Sequence, residues 1–309
     1  MTALRIAIFV VAIAFCLTPW ASPPIALAIG LAIALTIGQP LPRKTTSRAT
    51  KILLQASVVG LGFGANLHSI IEAGREGILF TIATIAGTLI LGFFLGRALR
   101  VERTTAHLIS SGTAICGGSA IAAVGPVLGA TDEEMSVSLG TVFILNSIAL
   151  FIFPPIGHAL AMSQRQFGIW AAIAIHDTSS VVGAAQRFGF EAQRIATTVK
   201  LTRALWIVPL TLATAAAFRK RSTSVAIPWF IGLYVVASVM LTYALVPLWL
   251  CAKLVMLARI GLTVTLFLIG ASLSRSAIAA VGARPLVLGV LLRIAISAAS
   301  LWSVLTLVR

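Results

Sequence analysis

The 309-residue chain is 59% hydrophobic and only 10% charged, with a mean hydropathy of +1.05, far from the roughly 45–50% apolar and about 25% charged make-up of soluble domains. That composition excludes a soluble protein, and residues 1–309 read as a single membrane domain. The net charge of +15 does not indicate nucleic-acid binding, because the positive residues cluster in loops between apolar segments, as in membrane proteins obeying the positive-inside rule.

In chain order, residues 5–20 follow one early arginine and no A-x-A-like cleavage site comes after them, so an uncleaved first transmembrane helix is predicted rather than a signal peptide. Further apolar segments fall near 22–39, 52–71, 76–98, 107–129, 135–161, 167–185, 192–218, 226–248, 254–273 and 285–308, each close to the roughly 20 residues that a span requires. Two are unusual. Segment 107–129 contains Ser110-Ser-Gly-Thr-Ala-Ile-Cys-Gly-Gly-Ser119, and segment 167–185 contains Ala174-Ile-His-Asp-Thr-Ser-Ser180. Small and polar residues at mid-segment predict interrupted helices, and non-helical backbone at membrane depth must be buried in protein or line a watery cavity.

Internal repeats are also visible. Gly64-Ala-Asn-Leu-His-Ser-Ile70 resembles Gly270-Ala-Ser-Leu-Ser-Arg-Ser-Ala-Ile278, and residues 23–42 resemble 228–247. A shift of sixty residues aligns Ala114-Ile-Cys-Gly-Gly-Ser119 with Ala174-Ile-His-Asp-Thr-Ser179, and Gly129 with Gly189. All these matches become inverted repeats, as in many transporters, only if both interrupted segments are re-entrant hairpins. The expectation is therefore an all-α polytopic protein with an inverted-repeat transporter fold of about 9–11 segments, best counted as nine crossings and two hairpins. Basic residues at Arg43, Lys44, Arg48, Lys51, Arg97, Arg100, Arg103, Arg219-Lys-Arg221, Arg275 and Arg284 fit a cytoplasmic N-terminus.

Of eight acidic residues, seven lie at segment ends and Asp177 alone lies inside an apolar segment. An ionisable group at that depth costs at least roughly 2.5–3.5 kcal/mol and by default marks a functional site. His176 beside it could relay protons or be a neutral buried histidine. Cys116, in the equivalent place of the first interrupted segment, reads better as a small packing residue than as a reactive thiol. Lys200 and Arg203 share a helical face with Thr197 and either snorkel to a helix end or neutralise Asp177 or a bound anion. Ser119 and Ser179 are suited to cap half-helices that begin after Gly117-Gly118 and Asp177-Thr178. Helix starts bind anions, so the candidate site comprises Thr113, Cys116, Gly117, Gly118, Ser119, His176, Asp177, Thr178, Ser179, Ser180, Lys200 and Arg203. Cys16, Cys116 and Cys251 show no metal-ligand or CxxC spacing. HExxH, GxSxG and Walker A motifs are absent, so neither an enzyme, a metal nor a cofactor is expected.

Ser111-Gly-Thr-Ala-Ile-Cys-Gly-Gly-Ser-Ala-Ile-Ala-Ala123, Ala174-Ile-His-Asp-Thr-Ser-Ser-Val-Val-Gly-Ala184, Thr197-Thr-Val-Lys-Leu-Thr-Arg203 and Ile227-Pro-Trp-Phe230 resemble the YeiH-type family of bacterial inner-membrane proteins, named as sulfate exporters. Some members carry Glu where this chain has Asp177. The family in turn resembles the cation/proton antiporter and anion transporter superfamily. The resemblance implies a bacterial inner-membrane location, a core with two interrupted elements moving against a scaffold that often dimerises, and alternating access. The resulting expectation is a secondary transporter, an exporter of a small anion such as sulfate, sulfite or an organic acid, with Asp177 carrying a coupling proton or sodium ion. A cation/proton antiporter is the alternative, followed by a channel-like or scaffolding membrane protein.

Overall fold

The computed structural model describes residues 2–18, 20–38, 42–68, 71, 78–218, 229–272 and 281–308. Among them the regular structure is helical throughout: α1 (Thr2–Cys16), α2 (Pro23–Thr36), α3 (Arg43–Gly62), α4 (Ile78–Ala98), α5 (Arg103–Ala114), α6 (Gly118–Leu128), α7 (Asp132–Ala159), α8 (Gln164–Ala174), α9 (Thr178–Phe188), α10 (Phe190–Ala204), α11 (Ile207–Ala217), α12 (Trp229–Thr242), α13 (Leu248–Ser272) and α14 (Ala283–Leu307). Five stretches, Leu79–Ala98, Glu133–Ala159, Phe190–Ala217, Leu248–Ser272 and Ala283–Leu307, are long and apolar enough to cross a membrane, and several shorter apolar helices accompany them. The chain is an all-α polytopic membrane protein.

The helices fall into two groups. In one, α13 packs along α2 and α3, with α1 and α12 at the sides. The α2–α13 crossing is close because both helices present glycine: a Cβ at Gly30 would lie 2.2 Å from the Phe267 carbonyl oxygen, and one at Gly270 would lie 2.3 Å from that of Leu27. Small residues let backbones approach this way where lipid removes the usual hydrophobic drive. The other group surrounds the interrupted elements: α4, α7, α10, α11 and α14 pack on α5, α6, α8 and α9. Contacts of α9 with α2 and α13, and of α7 with α2, join the groups.

Both interrupted elements are hairpins. The first leaves and returns at one level, since the side chain of Glu102, capping α5, meets that of Glu134 in the first turn of α7. In the second, Gln164 Oε1 at the start of α8 accepts the backbone N–H groups of Glu191 and Ala192 at 3.0 and 3.3 Å. The two bases lie at opposite ends of the bundle. Arg103 stacks over Phe218, just beyond the end of α11, whereas the second base touches the start of α10; the helical stretch Phe190–Ala217 separates those points by about 40 Å at 1.5 Å per residue. The sixty-residue shift thus relates two hairpins of opposite direction. By the same end contacts neither hairpin adds a crossing, and residues 78–217 pass along the bundle three times, through α4, α7 and α10–α11.

Two sequence expectations change. The segment expected at 192–218 is two helices, broken at Leu205-Trp206, one turn before Pro209, which has no N–H for the Leu205 carbonyl and whose ring crowds it. Ser119 and Ser179 are not the caps: Gly117 and Asp177 hold the N-cap positions. The comparison of 64–70 with 270–278 lies partly, and the loops at 219–228 and 273–280 lie wholly, outside the described residues.

Candidate functional site

The hairpin tips meet in the interior. Gly117, at φ +67°, lies against His176, and a Cβ there would approach the His176 carbonyl oxygen to 2.6 Å. Glycine is required for both reasons: the left-handed conformation is strained for other residues, and the backbones need the space. Helices α5 and α8 run in from opposite ends and stop at the crossing; α6 and α9 start there and run out. The crossing therefore gathers two helix C-termini, with partial negative charge and unpaired carbonyls, and two N-termini, with partial positive charge and free N–H groups.

Lys200 and Arg203 serve the C-termini. Fully buried Lys200 Nζ donates to the carbonyls of Ile115 (2.8 Å), Ile175 (2.9 Å) and Ala172 (3.2 Å). Arg203 Nη2 donates to the Ala114 carbonyl at 2.8 Å and Nη1 to Thr84 Oγ1 at 3.0 Å. A lysine has three donors, so Lys200 is saturated by backbone. The two bases tie together the C-terminal ends of both hairpins, where cations are favoured by the helix dipole, with Asp177 in electrostatic reach of Lys200 but not bonded to it.

At the N-termini the two hairpins differ. Asp177 caps α9: its Oδ2 accepts from the Ser180 N–H and the Ser180 hydroxyl, both at 3.0 Å, and from the Ser179 hydroxyl. Among the described residues no donor reaches Oδ1 within hydrogen-bonding distance and no basic nitrogen lies within 4 Å of the carboxylate. At the corresponding start of α6 the cap is Gly117, which has no side chain to offer; the Cys116 sulfur faces the Ala120 N–H and the Ser119 hydroxyl instead. One helix start is thus neutralised by a carboxylate and the other is not. Thr113 is buried in the last turn of α5, Ser179 and Ser180 are buried, Gly118 and Thr178 are half-buried, and Ser119 is exposed.

Two residues at the crossing escaped the sequence reading. Asn146 of α7 accepts the His176 N–H at 3.1 Å and Arg293 Nη2 at 2.5 Å through one oxygen, and Arg293 of α14 also contacts His176 Nδ1 at 3.3 Å. The signal for Arg293 was present: it stands inside the apolar segment 285–308, by the same criterion that singled out Asp177. Asn146 carried none, being one amide in a long apolar helix.

A cleft of about 730 Å³ opens between the two helix groups beside the second hairpin's base, lined by residues including Cys16, Phe63, Gln186, Phe190, Leu241 and Arg259. No group of three or more potential metal-ligating side chains occurs among the described residues.

The model of the family described as conserved hypothetical protein 698 matches residues 2–289. The chain belongs to that family. Its UPF0324 relatives include a membrane protein of Bacteroides thetaiotaomicron, 56% identical over 91% of this chain and 86% of the relative, and one of Porphyromonas gingivalis, 55% identical over 92% and 87%. A UPF0324 membrane protein of Photobacterium profundum is 49% identical over 95% of this chain and 89% of its own length. No solved structure matches this UPF0324 chain. The relatives' names establish a membrane protein and leave its activity open.

Proposed function

We propose that this UPF0324 protein is a secondary transporter that exports a small anion across the bacterial inner membrane by alternating access, with its N-terminus in the cytoplasm. The observation carrying this reading is the unequal treatment of the hairpin ends. Both negative C-terminal ends are matched by Lys200 and Arg203 and one positive N-terminal end is capped by Asp177, while the start of α6 at Gly117-Gly118 has no side-chain cap of its own. The residual field at the crossing is positive, and helix starts with free N–H groups hold small oxyanions or carboxylates. The cleft between the two helix groups supports movement of one against the other. Basic residues at the end carrying Arg97, Arg100 and Arg103 support the cytoplasmic assignment of that end.

A second reading, cation/proton antiport, draws on Asp177 Oδ1, which is left for a proton or sodium ion while Oδ2 holds the cap. Uptake and efflux of labelled sulfate and sulfite in proteoliposomes, with and without a pH gradient, separates the two. Saturable anion flux is expected. No flux of either anion, together with proton movement driven by sodium or potassium, overturns anion export in favour of the antiporter.

A further inference from the structure

Behind the crossing stands a cluster whose hydrogen-bonding capacity is unbalanced. Asn146 is buried to 1%, His176 to 2% and Arg293 to 9% of their accessible surface, and the three bond to one another. The bonds assign every role. Asn146 Oδ1 accepts from the His176 N–H and from Arg293 Nη2, so Nδ2 is the amide's donor. His176 Nδ1 faces the guanidinium and must accept, so the proton of a neutral ring sits on Nε2. The atoms left without a partner are Asn146 Nδ2, His176 Nε2, Arg293 Nε and Arg293 Nη1: every one of them a donor. Buried polar groups are normally paired, and here a charged group contributes three of the idle N–H bonds.

Among the described residues no protein acceptor is at hand. Asp177 is near enough to act on Arg293 electrostatically, but it lies beyond ion-pair distance and its Oδ2 is taken by Ser179 and Ser180. Arg293 lies ten residues into α14, about 15 Å along the helix from its start, too deep to reach an aqueous end. The chemistry that matches a guanidinium, an amide N–H₂ and an imidazole N–H together is an oxygen-rich anion, which accepts through every atom and supplies the missing charge.

We propose that Arg293, Asn146 and His176 form the binding site for the small oxyanion carried by this protein, of the sulfate or sulfite class. This rests on the anion-transport reading and moves its charge recognition from Lys200 and Arg203, which hold backbone, to Arg293 on α14. Because the cluster touches the second hairpin through His176, occupancy bears on the tip that also carries Asp177.

The test is binding, read apart from transport. The purified full chain in detergent is unfolded thermally by tryptophan fluorescence against rising sulfate or sulfite, with chloride at matched ionic strength as control, for wild type, Arg293→Gln and Asn146→Asp. The last variant places a carboxylate beside the guanidinium, so the cluster gains its own counter-charge without losing a side chain. Wild type is expected to be stabilised saturably by one of the oxyanions, as for any ligand that binds only the folded state. Asn146→Asp is expected to melt no lower than anion-free wild type and to bind the oxyanion at least tenfold more weakly; Arg293→Gln is expected to lose the stabilisation. Equal affinity in Asn146→Asp and wild type overturns the proposal, as does the absence of saturable stabilisation of wild type by either anion, which would leave water as the cluster's partner. Anion flux in proteoliposomes that persists alongside either result leaves the transport reading standing and sinks only this site; Arg293-dependent binding without flux does the reverse.

Discussion

Replacing Lys200 by methionine separates its two assigned roles. Methionine keeps the volume of the lysine stem and removes the ammonium, which donates to three carbonyls at 2.8, 2.9 and 3.2 Å and is fully buried. A hydrogen bond to a charged group contributes about 1.5–3 kcal/mol, and a cation at a partly buried helix C-terminus up to ~2 kcal/mol. The sum overstates the loss, because the variant no longer bears the cost of burying an ammonium. Counting the two shorter bonds in full leaves a net destabilisation of roughly 3–6 kcal/mol. At roughly 2 °C per kcal/mol for a chain of this size, the melting temperature in detergent should fall by about 6–12 °C. Sulfate or sulfite should still raise it, since the anion is not bound by Lys200. The opposite pattern, melting within about 1 °C of wild type with anion stabilisation abolished, would show that Lys200 meets the anion and that its carbonyl bonds are incidental.

Gly117→Ala should destabilise by about 2–5 kcal/mol, combining an unfavourable positive φ with a Cβ forced against the His176 carbonyl, and should abolish flux; Gly118→Ala, whose Cβ meets side chains alone, the Phe143 ring at 3.0 Å and Leu139 at 3.4 Å, should be far milder. Equal melting temperatures for the two would refute the tip contact. Asp177→Asn should keep the Ser180 cap, since asparagine caps as well as aspartate, and change stability by less than about 1 kcal/mol; flux should lose its dependence on the pH gradient. Unaltered pH dependence would remove Asp177 from coupling. Single cysteines at Arg103 and Thr131, both exposed, should react with an impermeant maleimide from one face of oriented vesicles, and those at Ser163 and Glu191 from the other. Labelling of Arg103→Cys and Thr131→Cys from opposite faces would show that the first element crosses.

Much of this architecture was legible in the sequence because membrane depth restricts what a chain can do. The Ser110–Ser119 and Ala174–Ser180 runs read as interruptions rather than as close small-residue helix packing, chiefly because packing does not account for Asp177, and the parity of the sixty-residue shift required hairpins if the halves were to be inverted. The break at Leu205-Trp206 was legible in Pro209, which has no N–H for the Leu205 carbonyl and crowds it, but the unbroken apolar run around it hid the signal. Packing holds the break in place, with Arg203 just before it committed to Ala114 and Thr84 on two other elements. The caps were misplaced for a related reason. Ser119 and Ser179 are good caps in isolation, but the carboxylate two residues before Ser179 reaches the Ser180 N–H itself, and the crossing required glycine at 117, which fixed the start of α6.

The assignment of charge at the site shows where sequence reasoning stops. Lys200, Arg203, Asp177 and Arg293 are all charges at membrane depth, and composition alone treats a base there as a partner for an acid or an anion. Backbone supplies a third partner that composition does not display: a hairpin that stops at mid-depth exposes up to four carbonyls, and two such hairpins meeting tip to tip create a concentrated negative region out of residues with no charge at all. Lys200 and Arg203 answer that field. Once they are committed to it, the balance of the remaining groups changes sign in meaning, because Asp177 is spent on its own helix start and Arg293 is left with no carboxylate in reach. On the proposed reading, anion binding then rests on an arginine nearly a hundred residues further along the chain, positioned by a helix that belongs to neither hairpin.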